Sequence, residues 1–290
     1  MIANVAMTSV AAAVGQPGAG QLVLLGAAVA VFLAGGGLSL ARVLRDRPGL
    51  RVPAKACLYA GFLLTVAVLL WHSAGRGQWL PLSDNFDALL WLALLLTLFV
   101  LYMMRARPLG GLDWFVMPVV VLLLVGAGVF GRLEYKSYAY GAWAWAWVHR
   151  ASTFGGLASF AVAAATGAMY VIVSRRLRRK MLGGPALGSL ERLERLTMLA
   201  VTLGFALLTI GMVTGYVHWS GPGHHLPTAK VLLGTAAWLV YAVVLHAPIT
   251  PQLRGRRAAL LSICGFLLMV GTIVLVQFLP GSGGAGGGPP

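Results

Sequence analysis

Long apolar runs alternate along this chain with short connections that are basic, aromatic or rich in Gly and Pro. Runs of about twenty residues, the length a helix needs to cross the ~30 Å hydrocarbon core of a bilayer, fall at roughly 21–44, 54–73, 85–104, 113–130, 149–173, 196–218, 227–247 and 258–279. The pattern predicts an all-α, polytopic membrane protein: a bundle of about eight transmembrane helices forming one domain over residues 21–279. Residues 1–20 read as an uncleaved external tail, since no Lys or Arg precedes Arg42 and the positive region of a signal peptide is missing. Residues 280–290, nearly all Gly, Pro and Ser, have nothing to bury and are expected to be disordered.

Composition agrees with this reading. Of 290 residues, 59% are hydrophobic and 10% charged, well below the charge of a soluble domain. The net charge of +15 does not point to nucleic acid, because the Lys and Arg fall between apolar runs rather than in an aromatic-interleaved basic domain. Their distribution predicts orientation instead. All but five of the 22 follow the first, third, fifth and seventh runs; the five are Arg76, Arg132, Lys136, Arg150 and Lys230. The basic side is the cytoplasmic one, so both termini are expected outside, in a plasma-membrane protein.

This orientation sorts the histidines. His72, His149, His218, His224 and His225 lie at or near the external face, and His246 at the cytoplasmic end of the seventh run. The sixteen residues from Lys230 to His246 correspond to about 24 Å of helix. A polar loop carrying His218, Trp219, His224 and His225 thus leads into a membrane helix that closes on another imidazole.

Before the fifth run comes Trp143-Ala144-Trp145-Ala146-Trp147-Val148-His149. An extended backbone would align the three indoles as a flat platform for a planar macrocycle; an interfacial aromatic belt is the alternative. Small residues at Gly155, Ser159, Ala163 and Gly167, and at Gly35 to Gly37, predict close helix packing. Asp84 or Ser83 is placed to cap the third helix, with Asp87 in its first turn.

Imidazole suits zinc, copper and iron, but a structural zinc site wants four ligands, usually with thiolates. The two cysteines, Cys57 and Cys264, lie in or beside different runs and make no C-x-x-C pair, which argues against thiol relay; without C-x-x-C-H the chain is not itself a c-type cytochrome. Haem needs one or two axial histidines and an apolar, aromatic pocket, and this chain supplies both.

Three stretches resemble the cytochrome c assembly family, which includes CcsA components and HemX-like membrane proteins. Pro81-Leu82-Ser83-Asp84-Asn85-Phe86-Asp87-Ala88-Leu89-Leu90 is similar to its P-L-S-N-x-Y-E-S-L-x motif. Trp147-Val148-His149 resembles the external histidine that opens a later span. Lys230 through Trp238-Leu239-Val240-Tyr241 to Leu245-His246 resembles its K-E-x-W…Y-x-x-x-L-H run. Gly223-His224-His225 stand where the family has tryptophans and Asp, Val231 follows the lysine, and the last span is followed by no second external histidine.

The resemblance implies a membrane haem-handling protein of cytochrome c biogenesis, moving or presenting haem b at the external face, and leaves open membership of a haem lyase complex. Its partners would be the bilayer, a second assembly subunit and apocytochrome c. His149 would be an external axial ligand and His246 an intramembrane one, buried against other helices. One of His218, His224 or His225 would join His149 beside Trp143, Trp145, Trp147 and Trp219. A resident b-type cytochrome and a HemX-like regulator of haem biosynthesis are the competing expectations.

Overall fold

The computed structural model describes residues 16–45, 47–76, 85–106, 111–133, 144–179, 189–219, 228–246 and 255–278. Among them all regular structure is helical: α1 (Ala19–Arg45), a 3-10 turn (Pro48–Leu50), α2 (Arg51–Arg76), α3 (Asn85–Ala106), α4 (Leu112–Leu133), α5 (Ala144–Arg178), α6 (Leu190–Trp219), α7 (Thr228–Leu245) and α8 (Arg256–Phe278). Each expected span has its helix. The first six are long and apolar enough to cross a membrane, and α7 contributes a shorter apolar helix, Val231–Leu245. In lipid a backbone must satisfy its own hydrogen bonds, so apolar runs of this length have helix as their one open solution. The expected tails, 1–20 and 280–290, lie largely or wholly outside the described residues.

The helices fall into two compact units. The first holds α1 to α4 with the last turns of α5 from Ile172; the second holds the rest of α5 with α6, α7 and α8.

In the first unit α1 packs on α2 and α4, and α3 on α2 and α4. Glycine permits the closest approaches. A Cβ on Gly35 would lie 2.9 Å from Cys57 Cβ, and one on Gly61 would lie 2.8 Å from the Phe32 ring. At one end Arg42, on the last turn of α1, reaches both oxygens of Asp113 at 3.1 Å, and Ser39 also donates to that carboxylate. Asp113 is buried in the first turn of α4, where the helix dipole favours an anion.

In the second unit the expected small-residue packing of α5 is found. A Cβ on Gly156 would stand 3.3 Å from the Gly204 carbonyl of α6, and one on Gly167 3.0 Å from the Ala259 carbonyl of α8. Further in, Phe160 of α5 and Tyr241 of α7 stack with centroids 3.5 Å apart and planes 7° apart. Gly204 and Gly265 flank the pair so closely that a Cβ at either would touch a ring at 2.7 or 2.8 Å. Polar groups here bond across helices: Thr166 to Thr197 at 2.8 Å, Trp238 Nε1 to Thr209 Oγ1 at 3.0 Å, and the Tyr241 hydroxyl to the Ser262 carbonyl at 3.2 Å.

Candidate functional site

The second unit holds His149, five residues after the start of α5. Its Nδ1 lies 2.6 Å from the carbonyl oxygen of Gly211 on α6. A carbonyl only accepts, so Nδ1 carries the proton and, in the neutral ring, the lone pair is on Nε2. The ring edge rests against Gly215, where a Cβ would meet Cε1 at 2.7 Å and Nδ1 at 3.0 Å. Gly211 is equally confined, since its Cβ would fall 2.8 Å from Thr153 Oγ1. Thr153 and Ser152 direct their hydroxyls back to main-chain oxygens of the preceding turn, including that of His149, at 2.5 to 3.1 Å. A histidine with one nitrogen held by a main-chain carbonyl is the arrangement that orients imidazole ligands toward metals.

The other expected site residues distribute unevenly. Trp147 is half-buried on the first turns of α5. The extended tryptophan platform is not found: α5 begins at Ala144, so Trp145 and Trp147 belong to a helix, where positions two apart are turned by about 200°. Helix wins because residues 144–147 continue a long apolar run whose main-chain groups have no sheet partner. His218 and Trp219 are the last residues of α6, about one turn beyond Gly215. Trp143, His224 and His225 lie outside the described residues.

His246 corrects the expectation of burial. It stands in the turn after α7, exposed, with Nδ1 bonded to the Ala242 carbonyl at 2.7 Å. The buried stripe of α7 is Ala237, Tyr241 and Val244, a helical spacing that position 246 does not continue. Phe160 lies eleven residues along α5 from His149, and its stacking partner Tyr241 lies five residues before His246. The two imidazoles are therefore about 24 Å apart along the helices and serve no common metal.

The first unit contains a constellation only partly legible in the sequence. His72, near the end of α2, is 2% exposed, and Asp87, in the first turn of α3, is fully buried. His72 Nδ1 is 3.1 Å from Gln21 Oε1, an oxygen that also accepts from the Gly18 amide at 3.2 Å. That second donor fixes the amide's orientation and makes Nδ1 the protonated nitrogen. Nε2 faces Asp87 Oδ1 at 4.0 Å, and the Phe86 ring tilts against the imidazole at 4.7 Å. Asp87 is where helix capping placed it, but its partner is a side chain rather than the helix dipole alone. The available signal was the rule that ionisable residues inside a span are partnered. Gly211 and Gly215 had a weaker one, two glycines a turn apart within an apolar run.

Residues 58–281 match the family described as cytochrome C assembly protein, and the chain belongs to that family. A cytochrome c biogenesis protein CcsA of Thermosynechococcus vestitus is 40% identical over 80 residues, 26% of this chain and 24% of its own length. CcsA of Prochlorococcus marinus (strain NATL2A) is 34% identical over 93 residues, 31% of this chain and 29% of its own. CcsA of Porphyra purpurea is 35% identical over 98 residues, again 31% and 29%. The matches thus span less than a third of these relatives. Among solved structures, Cytochrome c Heme Lyase CcmF superposes with a TM-score of 0.59 over 91% of this chain and 47% of its own, at 19% identity. That likeness concerns the fold.

Proposed function

We infer that this chain is a haem-handling membrane protein of cytochrome c maturation, holding haem through His149 Nε2 for attachment to apocytochrome c. The observation that carries this reading is the 2.6 Å bond from His149 Nδ1 to the Gly211 carbonyl, which leaves the lone pair on the nitrogen an iron would take. Membership of the cytochrome c assembly family and the names of its relatives and structural neighbour support it. The residues fit the group: an imidazole oriented by a main-chain carbonyl, its edge in a space that a Cβ at Gly215 would close. Haem, when bound, supplies iron and a reactive periphery; the chain supplies the ligand and its orientation. His218, His224 or His225 would be the second axial ligand, and Trp147 and Trp219 would border the macrocycle. The cargo is haem b, the partners are a second assembly subunit and apocytochrome c, and the site faces outward across the plasma membrane. His246, at the far end of the unit, would meet haem earlier in its passage.

The test is the absorption spectrum of the purified protein, oxidised and reduced. His149→Ala should remove the bis-histidine bands, and added imidazole should restore part of them. An unchanged spectrum in the variant would refute ligation by His149.

A further inference from the structure

We propose that Gly211 and Gly215 form a seat on α6 that selects Nε2 of His149 as the ligating nitrogen and sets the plane of its ring; they are positioning residues for a macrocycle-bound metal. The proposal rests on the haem-handling reading and adds which atom binds and what aims it. Two contacts at one level of the unit support it. The Gly211 carbonyl accepts a hydrogen bond from Nδ1–H at 2.6 Å, and the Cε1–Nδ1 edge lies on Gly215, where a Cβ would stand 2.7 and 3.0 Å away. An imidazole in this pose has one tautomer and one ring plane. A side chain at position 215 would force the ring to turn and break the bond to Gly211. The same carbonyl lies 3.2 Å from Thr214 Oγ1, so it is an acceptor fixed by its own helix. Outer-shell partners of ligating histidines are worth about ten-fold or more in metal affinity, and Gly211 is such a partner.

The test uses the full chain in lipid nanodiscs with added haem, bound haem being read from its absorption spectrum. His149→Gly should abolish the external-site bands and open a space for small ligands. Imidazole and 4-methylimidazole keep an N–H to donate to the Gly211 carbonyl, whereas 1-methylimidazole binds iron but has none to give. The seat predicts that the first two restore the bands at roughly ten-fold lower concentration than the third. Equal potency of all three, or restoration by none, overturns the seat but leaves the loss in His149→Gly as support for the ligand. Unchanged bands in His149→Gly refute ligation by His149 and the seat with it, whereas absence of haem bands in the unaltered chain overturns the haem-handling reading itself. Gly215→Ala should weaken haem by a similar factor in the otherwise unaltered chain. Haem bound as tightly as before would give Gly215 a packing role only. Without haem, nitrogen NMR of histidine-labelled protein should show the Nδ1–H tautomer for the resonance missing in His149→Gly; the Nε2–H tautomer would refute the proposal.

Discussion

At the scale of single residues, the clearest physics is the absence of a Cβ. Gly265 faces the Tyr241 ring, with a Cβ position 2.8 Å from it, while nothing lies within 4 Å of the corresponding position at Gly271. Both glycines are on α8. Gly265→Ala should therefore destabilise by about 1–3 kcal/mol through overpacking. Gly271→Ala should be neutral or gain about 0.5–1 kcal/mol from helix propensity. Thermal unfolding in one detergent compares them, and a shared sign would contradict the described packing of Phe160 on Tyr241. The His72 cluster gives a second residue-scale expectation. Replacing Asp87 by Asn, or His72 by Phe, disturbs a buried polar group and should cost about 1–3 kcal/mol. The double variant should cost less than the sum, since the two side chains face each other. Strict additivity in melting measurements would show that they do not interact. His246 behaves differently: its ring is exposed and bonded to its own helix, so His246→Ala should alter stability by no more than about 0.5 kcal/mol. A larger loss would mean the imidazole is packed after all.

At the scale of elements, the number and placement of helices were legible because the bilayer leaves few choices. Twenty apolar residues make a helix there whatever their propensities, and every expected span lies on an observed helix. Ends were less legible. The 35-residue α5 begins at Ala144, ahead of the apolar core from 149, so Trp145 and Trp147 are helical rather than extended. The expectation for His246 fails for a related reason: the cost of an unpartnered imidazole demands burial only within the span, and burial on α7 follows the stripe of Ala237, Tyr241 and Val244, which stops short of the turn at 246. His149 stands out in the sequence by type and position, but the carbonyl bonded to its ring is invisible there, because the main chain is the same at every residue. Orientation can be tested at this scale. The basic residues of the 105–107, 175–195 and 254–257 connections should face the cytoplasm, so reporter fusions after Lys180 and after Pro290 should report opposite compartments. Finding both in the cytoplasm would overturn the eight-span topology and, with it, the sorting of the histidines. The Arg42–Asp113 pair joins the end of α1 to the start of α4, with Asp113 2% exposed. Asp113→Asn leaves a cation without its counter-charge and should cost about 3 kcal/mol, read as faster proteolysis near α1; unchanged cleavage would show the pair to be dispensable.

At the scale of the whole molecule, the chain carries two helical units, each with its own oriented histidine. In the first, His72 is held by the amide of Gln21 and faces a carboxylate; in the second, His149 is held by a backbone oxygen and rests on a glycine. The sequence made the two imidazoles look alike, both near the ends of spans and beside tryptophans. Their surroundings separate them, because the partners come from helices distant in the chain: Gln21 is 51 residues from His72, and Gly211 is 62 from His149. Pairings at such separations follow from packing, which a single sequence does not print.

The seat under His149 has a consequence for how the gene can change. A carboxylate that orients a histidine can be lost by one nucleotide substitution and regained by another, but no codon encodes or removes a main-chain oxygen. Drift can disturb the alignment of this imidazole by enlarging residue 211 or 215 or by shifting the register of α6 against α5. Selection on the site should therefore register as intolerance of any side chain at two positions one turn apart. A saturation library over 205–217, scored for maturation of a reporter cytochrome, should show that intolerance at both positions and ordinary apolar tolerance at the exposed Ile210 and Val213.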